Sequence, residues 1–74
     1  MDIEAFIKEE APNDDEHDKA YAKALRSAYE VYKDLPLINL KYAQKFARQK
    51  YDGCHESVAQ CMVLYELIKD GGSV

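Results

Sequence analysis

Four side chains in this sequence have the chemistry from which metal sites and covalent catalysts are built: His17, Cys54, His55 and Cys61. Their spacing argues against both uses. Structural zinc sites pair their ligands closely, as in C-x2-C with H-x3-H. Here the cysteines are seven positions apart, and the histidines, at 17 and 55, are 38 apart. A cysteine nucleophile needs a base in hydrogen-bond reach, itself oriented by a third group. His55 directly follows Cys54, and adjacent residues of a helix do not face one another. The sequence also lacks a glycine-rich phosphate loop, a G-x-S-x-G elbow and carboxylates paired at useful spacing. The expectation is therefore no enzyme, no catalytic residue, no cofactor and no metal site. If Cys54 and Cys61 share a helix, they lie roughly 10 Å apart along its axis. A disulfide requires Cα atoms within about 7 Å, so both are expected as free thiols.

These residues must be positioned by helices. Asp2 caps a short first helix over residues 3–10, whose Ile3, Phe6 and Ile7 share a face, and Pro12 follows it. Asn13 with Glu16 forms a capping-box pattern for a second helix, which Pro36 stops near Asp34. The acids Asp14, Asp15, Glu16 and Asp18 then occupy first turns, where the helix dipole favours them. A third helix is expected over about residues 39–51, closed by Gly53. The fourth starts at Cys54 or Ser57, with Ser57 and Gln60 as a capping pair, and runs to Lys69. The fold class that follows is all-α: a small bundle of three main helices plus a short N-terminal helix. It forms one domain over residues 1–70, with 71–74 as a flexible C-terminal tail.

Apolar periodicity assigns the faces. Tyr21, Leu25, Ala28, Tyr32 and Leu35 repeat at alternating four- and three-residue steps, a seam that buries one side of the second helix. In the third, Leu40, Ala43, Phe46 and Ala47 are expected inward, and Lys41, Lys45 and Arg48 outward. The fourth helix is apolar nearly all round. Val58, Cys61, Met62, Tyr65 and Ile68 make its main inward face. Ala59, Val63 and Leu67 make a second stripe, expected to remain uncovered and to support self-association.

Charge is distributed unevenly. Residues 1–20 hold eight acids and two bases, 21–51 hold seven bases and two acids, and 52–74 hold four acids and one base. The local balances are therefore −6, +5 and −3, and they sum to the overall −4. A net acidic chain does not coat nucleic acid or an anionic membrane non-specifically. The longest apolar run, Cys61 to Tyr65, is too short to cross a bilayer. The first ten residues have neither the basic start nor the apolar stretch of a signal peptide, which predicts a cytoplasmic location and reduced thiols.

The segment KYAQKFARQKYDGCHESVAQCM, residues 41–62, has the outline of a helix-turn-helix. In such a motif the second helix enters the major groove. Here that helix brings His55, Glu56, Gln60, Glu66 and Asp70, while the bases sit on the preceding helix. The sequence instead predicts a small non-catalytic regulatory protein, of the inhibitor, adaptor or antirepressor kind that phage and mobile elements encode. It would bind a larger protein through Lys41, Tyr42, Lys45 and Arg48, with Tyr29 as a further aromatic contact, since a cationic stripe steers an acidic partner and an aromatic ring anchors it. The alternative is a nucleic-acid-binding transcriptional regulator that uses the basic third helix or the helix-turn-helix-like pair. A structural subunit of a larger assembly is a third reading.

Overall fold

The computed structural model describes residues 1–72 and folds as an all-α bundle: α1 (Ile3–Glu10), α2 (Glu16–Tyr32), α3 (Leu37–Gln49) and α4 (His55–Lys69). This is the expected architecture of three main helices and a short N-terminal one. No helix among the described residues is long and apolar enough to cross a membrane.

Each helix start shows which local chemistry won. Asp2 caps α1, its carboxylate accepting from the Ala5 N–H at 3.2 Å. The second cap lies two residues later than the sequence pattern predicted: Asp15, not Asn13, accepts from the Asp18 N–H at 2.8 Å. Asn13 is drawn in differently, its N–H donating to Asp18 Oδ2 at 2.8 Å. Asp18 thus receives the chain entering α2, which explains a carboxylate exposed by only 8%. Two acids of the run, Asp15 and Asp18, serve the helix start.

At α4 the cap is Cys54 rather than Ser57. Its sulfur accepts from the Ser57 N–H at 3.5 Å, and Asp52 braces the turn by accepting from the Cys54 N–H at 3.0 Å and the Ser57 hydroxyl at 2.8 Å. The thiol and N–H of Cys54, then the Ser57 hydroxyl, hold the Asp52 carboxyl down at about 2. Gly53 precedes this cap with φ +81°, a left-handed conformation that glycine adopts without side-chain strain. Helix α3 begins and ends two residues earlier than predicted, with Pro36 ahead of its first turn and no side-chain cap.

Residues 71–72, the first half of the expected tail, are hydrogen-bonded to the last turn of α4. The Gly72 N–H donates to Leu67 O and the Gly71 N–H to Ile68 O, both at 3.0 Å, with φ values of +72° and +90°. This crossed pair is the Schellman arrangement that satisfies the last carbonyls of a helix. Gly72 also pairs with Pro36, so the end of α4 is stitched to the start of α3. The remainder of the expected tail, residues 73–74, lies outside the described residues.

Helix α4 is the central element, packed against α2 and α3, while α1 lies along α2. The short turn after α3 and the Pro36–Gly72 pairing make α3 and α4 antiparallel. The starts of α2 and α4 meet where the His17 and His55 rings touch edge to face at 4.6 Å. Helix α1 runs back along α2, held on the surface by Arg26 and Glu4 at 2.9 Å and within the contact by Ile7.

Burial corrects two expectations for α4. Ala59, Val63 and Leu67, assigned to self-association, are buried in the chain's own core together with Leu64. Two helices pack on α4 and bury this second stripe, while the residues expected to make the main inward face are only half-buried (Val58, Cys61, Met62 and Ile68) or exposed (Tyr65). Tyr65, expected in the core, points away from both neighbours and is 55% exposed.

Candidate interaction surface

Helix α3 has two apolar faces rather than one. Leu40 and Ala47 are buried against the bundle, with Ala43 partly buried beside them. The outer face carries Ile38, Tyr42 and Phe46, exposed by 65%, 61% and 59%. Phe46 was expected inward. It immediately precedes Ala47, and one residue turns about 100° around the helix axis, so only one of the two can face α4. The alanines win because their small side chains let the α3 backbone approach α4. Phe46 is then aligned with Ile38 and Tyr42 at four-residue steps, which on a helix form one ridge.

The cations lie along one flank of this ridge. Lys41, Lys45 and Arg48 are all exposed, and α3 contains no acidic residue. None of the ion pairs formed among the described residues uses these three side chains; the cationic partners are elsewhere, at Lys19, Arg26 and Lys33 among others. Ile38, Lys41, Tyr42 and Lys45 line a shallow, open notch of about 250 Å³. Its walls are an aliphatic side chain, an aromatic ring and two lysine stems. Lysines of this kind bury methylenes while leaving the ammonium in water. The notch is therefore an apolar slot with a cationic rim.

Tyr29 does not join this surface. It is half-buried on α2 against the core, with the Lys33 ammonium 5.9 Å from its ring centre. Of the five residues assigned to partner binding, the structure brings Lys41, Tyr42, Lys45 and Arg48 onto one helix and leaves Tyr29 on another. It adds Ile38 and Phe46, which sequence reasoning missed or placed inward. The signal was present: Ile38, Tyr42 and Phe46 are as regularly spaced as the buried set.

No protein-family model, curated protein or solved structure matches the chain.

Two other places on the surface offer less. A larger groove of about 480 Å³ lies between α2 and α4. Ala20, Ala24, Ser27 and Ala28 form much of its wall, with Val31 as its one large, well-exposed apolar side chain. Small side chains offer little to grip, so α3 is the better anchor despite its smaller notch. Near the start of α2, ligand atoms of Asp15, His17 and Asp18 lie within 4.8 Å of one another. Asp15 and Asp18 already accept backbone N–H groups there, and His17 Nδ1 lies 3.3 Å from Asp18 Oδ1. These groups serve to fasten the helix start. Tyr21, next to them, has its phenol pushed up to about 12 by burial and then by the adjacent Glu10 carboxylate. The two cysteines are free thiols, Cys54 exposed and Cys61 half-buried.

Proposed function

We propose that this chain is a small protein-binding module, of the inhibitor or adaptor kind, that docks on a larger protein through the outer face of α3. The observation that supports this is the ridge of Ile38, Tyr42 and Phe46, three large apolar side chains left in water on a helix whose opposite side is fully used by the core. Aromatic residues in such positions supply binding energy at interfaces, and neighbouring charges set orientation and association rate. The flank of Lys41, Lys45 and Arg48 supplies that charge.

A photoreactive aromatic residue in place of Tyr42 tests the proposal in cells. A defined protein should be captured from position 42 and not from position 65, where Tyr65 is comparably exposed on α4. Equal capture from both positions, or none from 42, would count against docking through α3.

A second reading is favoured by one feature: α3 carries three bases, two exposed aromatic rings and no acid. Base stacking on aromatic side chains with phosphate contacts nearby is how single strands are held without sequence preference. That reading requires affinity for an oligonucleotide to fall steeply with added salt. The helix-turn-helix version has less support, because α4 is the central packing element of the bundle.

A further inference from the structure

We infer that the element docked on α3 is an acidic amphipathic helix of the partner protein. The inference rests on the proposal that the outer face of α3 binds a protein, and adds the chemistry of what it binds.

The shape of the surface argues for a helix. Ile38, Tyr42 and Phe46 form a straight ridge about 12 Å long, at 1.5 Å per residue. A ridge of residues four apart fits the groove between side-chain rows of another helix. The open notch beside the ridge is lined by Ile38, Lys41, Tyr42 and Lys45. Helical ligands anchor in this manner, through side chains repeating at three and four residues.

The charge argues for carboxylates on one flank of that helix. Lys41, Lys45 and Arg48 follow one another at steps of four and three, so acids at matching steps on the facing flank meet each in turn. Lys41 and Lys45 both line the notch, so a carboxylate paired with either would lie close to the ridge. Nothing within α3 neutralises these cations.

The same observations disfavour the other occupants. Two copies packed through this face would set Lys41, Lys45 and Arg48 against their duplicates with no acid on either helix, and like charges in contact are repulsive. The chain's own acid-rich segments do not substitute. Ile7 of α1 is buried with Ile3 and Phe6 packed on the core, and the acids at the start of α2 fasten that helix. An extended polyanion would meet a chain with fourteen acids and ten bases. Ile38 and the apolar slot also have no counterpart in a phosphate backbone.

The test uses a synthetic amphipathic helix with a leucine ridge and glutamates along one flank. Its controls are the same peptide with glutamine for glutamate, the same peptide with alanine for leucine, a single-stranded oligonucleotide, and a phosphatidylglycerol vesicle. Binding to the isotope-labelled protein is followed by NMR titration. The acidic peptide should bind and move the α3 signals. The glutamine version should bind about tenfold more weakly, and the alanine version not measurably. Lys45→Glu should weaken the acidic peptide about tenfold, and a peptide with lysine opposite that position should recover the loss. If Lys45→Glu disturbs the fold, Lys45→Gln gives the same comparison. Equal binding of the glutamate and glutamine peptides overturns the inference, as does binding of the oligonucleotide or vesicle but not the peptide, or association of the protein with itself through α3. If capture from position 42 identifies a protein while no acidic peptide binds, docking on α3 survives and the acidic-helix inference falls. If position 42 captures no protein, both fall.

Discussion

Gly72→Ala should destabilise this protein far more than Gly71→Ala, although the two glycines are adjacent and both left-handed. The conformational contribution is similar at the two sites. With φ values of +90° at Gly71 and +72° at Gly72, an alanine costs roughly 1 kcal/mol at either. The surroundings differ. A Cβ at Gly71 meets nothing within 4 Å. A Cβ at Gly72 would lie 2.7 Å from Leu37 N, 2.9 Å from Leu37 Cα and 3.2 Å from Leu40 Cδ1. Two of those atoms are backbone, so relief requires the start of α3 to move. Overpacking of this kind costs typically about 1–3 kcal/mol. The expected losses are therefore about 1 kcal/mol for Gly71→Ala and about 2–4 kcal/mol for Gly72→Ala. A domain of this size has only a few kcal/mol in hand, so the second variant should be partly unfolded at room temperature. Urea denaturation followed by far-UV circular dichroism measures both. Variants within about 0.5 kcal/mol of each other would refute the reasoning, because the close approach of Gly72 to Leu37 would then have no energetic weight. The consequence reaches the candidate surface. Helix α3 has no side-chain cap, and its first residues rest on Gly72. Displacing them moves Ile38 and Tyr42.

Three further outcomes follow from the core and the α4 cap. Val63→Glu should abolish folding rather than yield a soluble monomer, since Val63 is fully buried and an unpaired charge there costs several kcal/mol; a helical, cooperatively melting variant would contradict the packing. Cys54→Ser should raise the melting temperature slightly, by about 0.5 kcal/mol of stability, because a hydroxyl caps a helix better than a thiol, and a lower melting temperature would show that the sulfur is needed. Asp52 is held at about 2 against an ordinary value of 3.8, so its stabilising hydrogen bonds are fully present above about pH 4 and are lost as pH falls towards 2. Asp52→Asn should flatten that part of the acid-unfolding profile. An unchanged profile would remove Asp52 from the cap.

The architecture was legible because apolar periodicity and punctuation agreed. Pro12, Pro36 and Gly53 all fall between helices, and Asp2 caps where its position predicts. Start sites were harder where several capping residues compete. In "NDDEHD" the pattern Asn13 with Glu16 looks complete, yet Asp15 wins because its frame lets Asp18 also receive the Asn13 N–H. A cysteine cap at α4 was hidden for a different reason: Ser57 is the better capping residue, but the Asp52 network fixes the turn three residues earlier. Viewed locally, Gly71 and Gly72 carry no sign of a packing partner. Their role depends on Pro36 and Leu37, brought beside them only by the antiparallel packing of α3 on α4.

The same limit governed the candidate site. Composition places a stripe of cations on α3, but periodicity alone cannot decide which of two apolar faces a helix buries. On α4 the stripe of Ala59, Val63 and Leu67 is buried, because two helices flank it; on α3 one apolar face is left open, because α4 is its principal neighbour. Rotating α3 to bury the ridge would not relieve this. At about 100° per residue, Lys45 and Gln49 lie on the same half of the helix as Ile38, Tyr42 and Phe46. Turning that half inward would take a lysine charge and an amide out of water, at a cost of several kcal/mol for the charge alone. It would also expose Leu40, now fully buried. The bundle therefore has no internal arrangement that covers Ile38, Tyr42 and Phe46 while keeping its cations wet. Among the described residues, the ridge and the bases beside it lie together at the surface, and a partner docked on the ridge would have to tolerate positive charge along one edge.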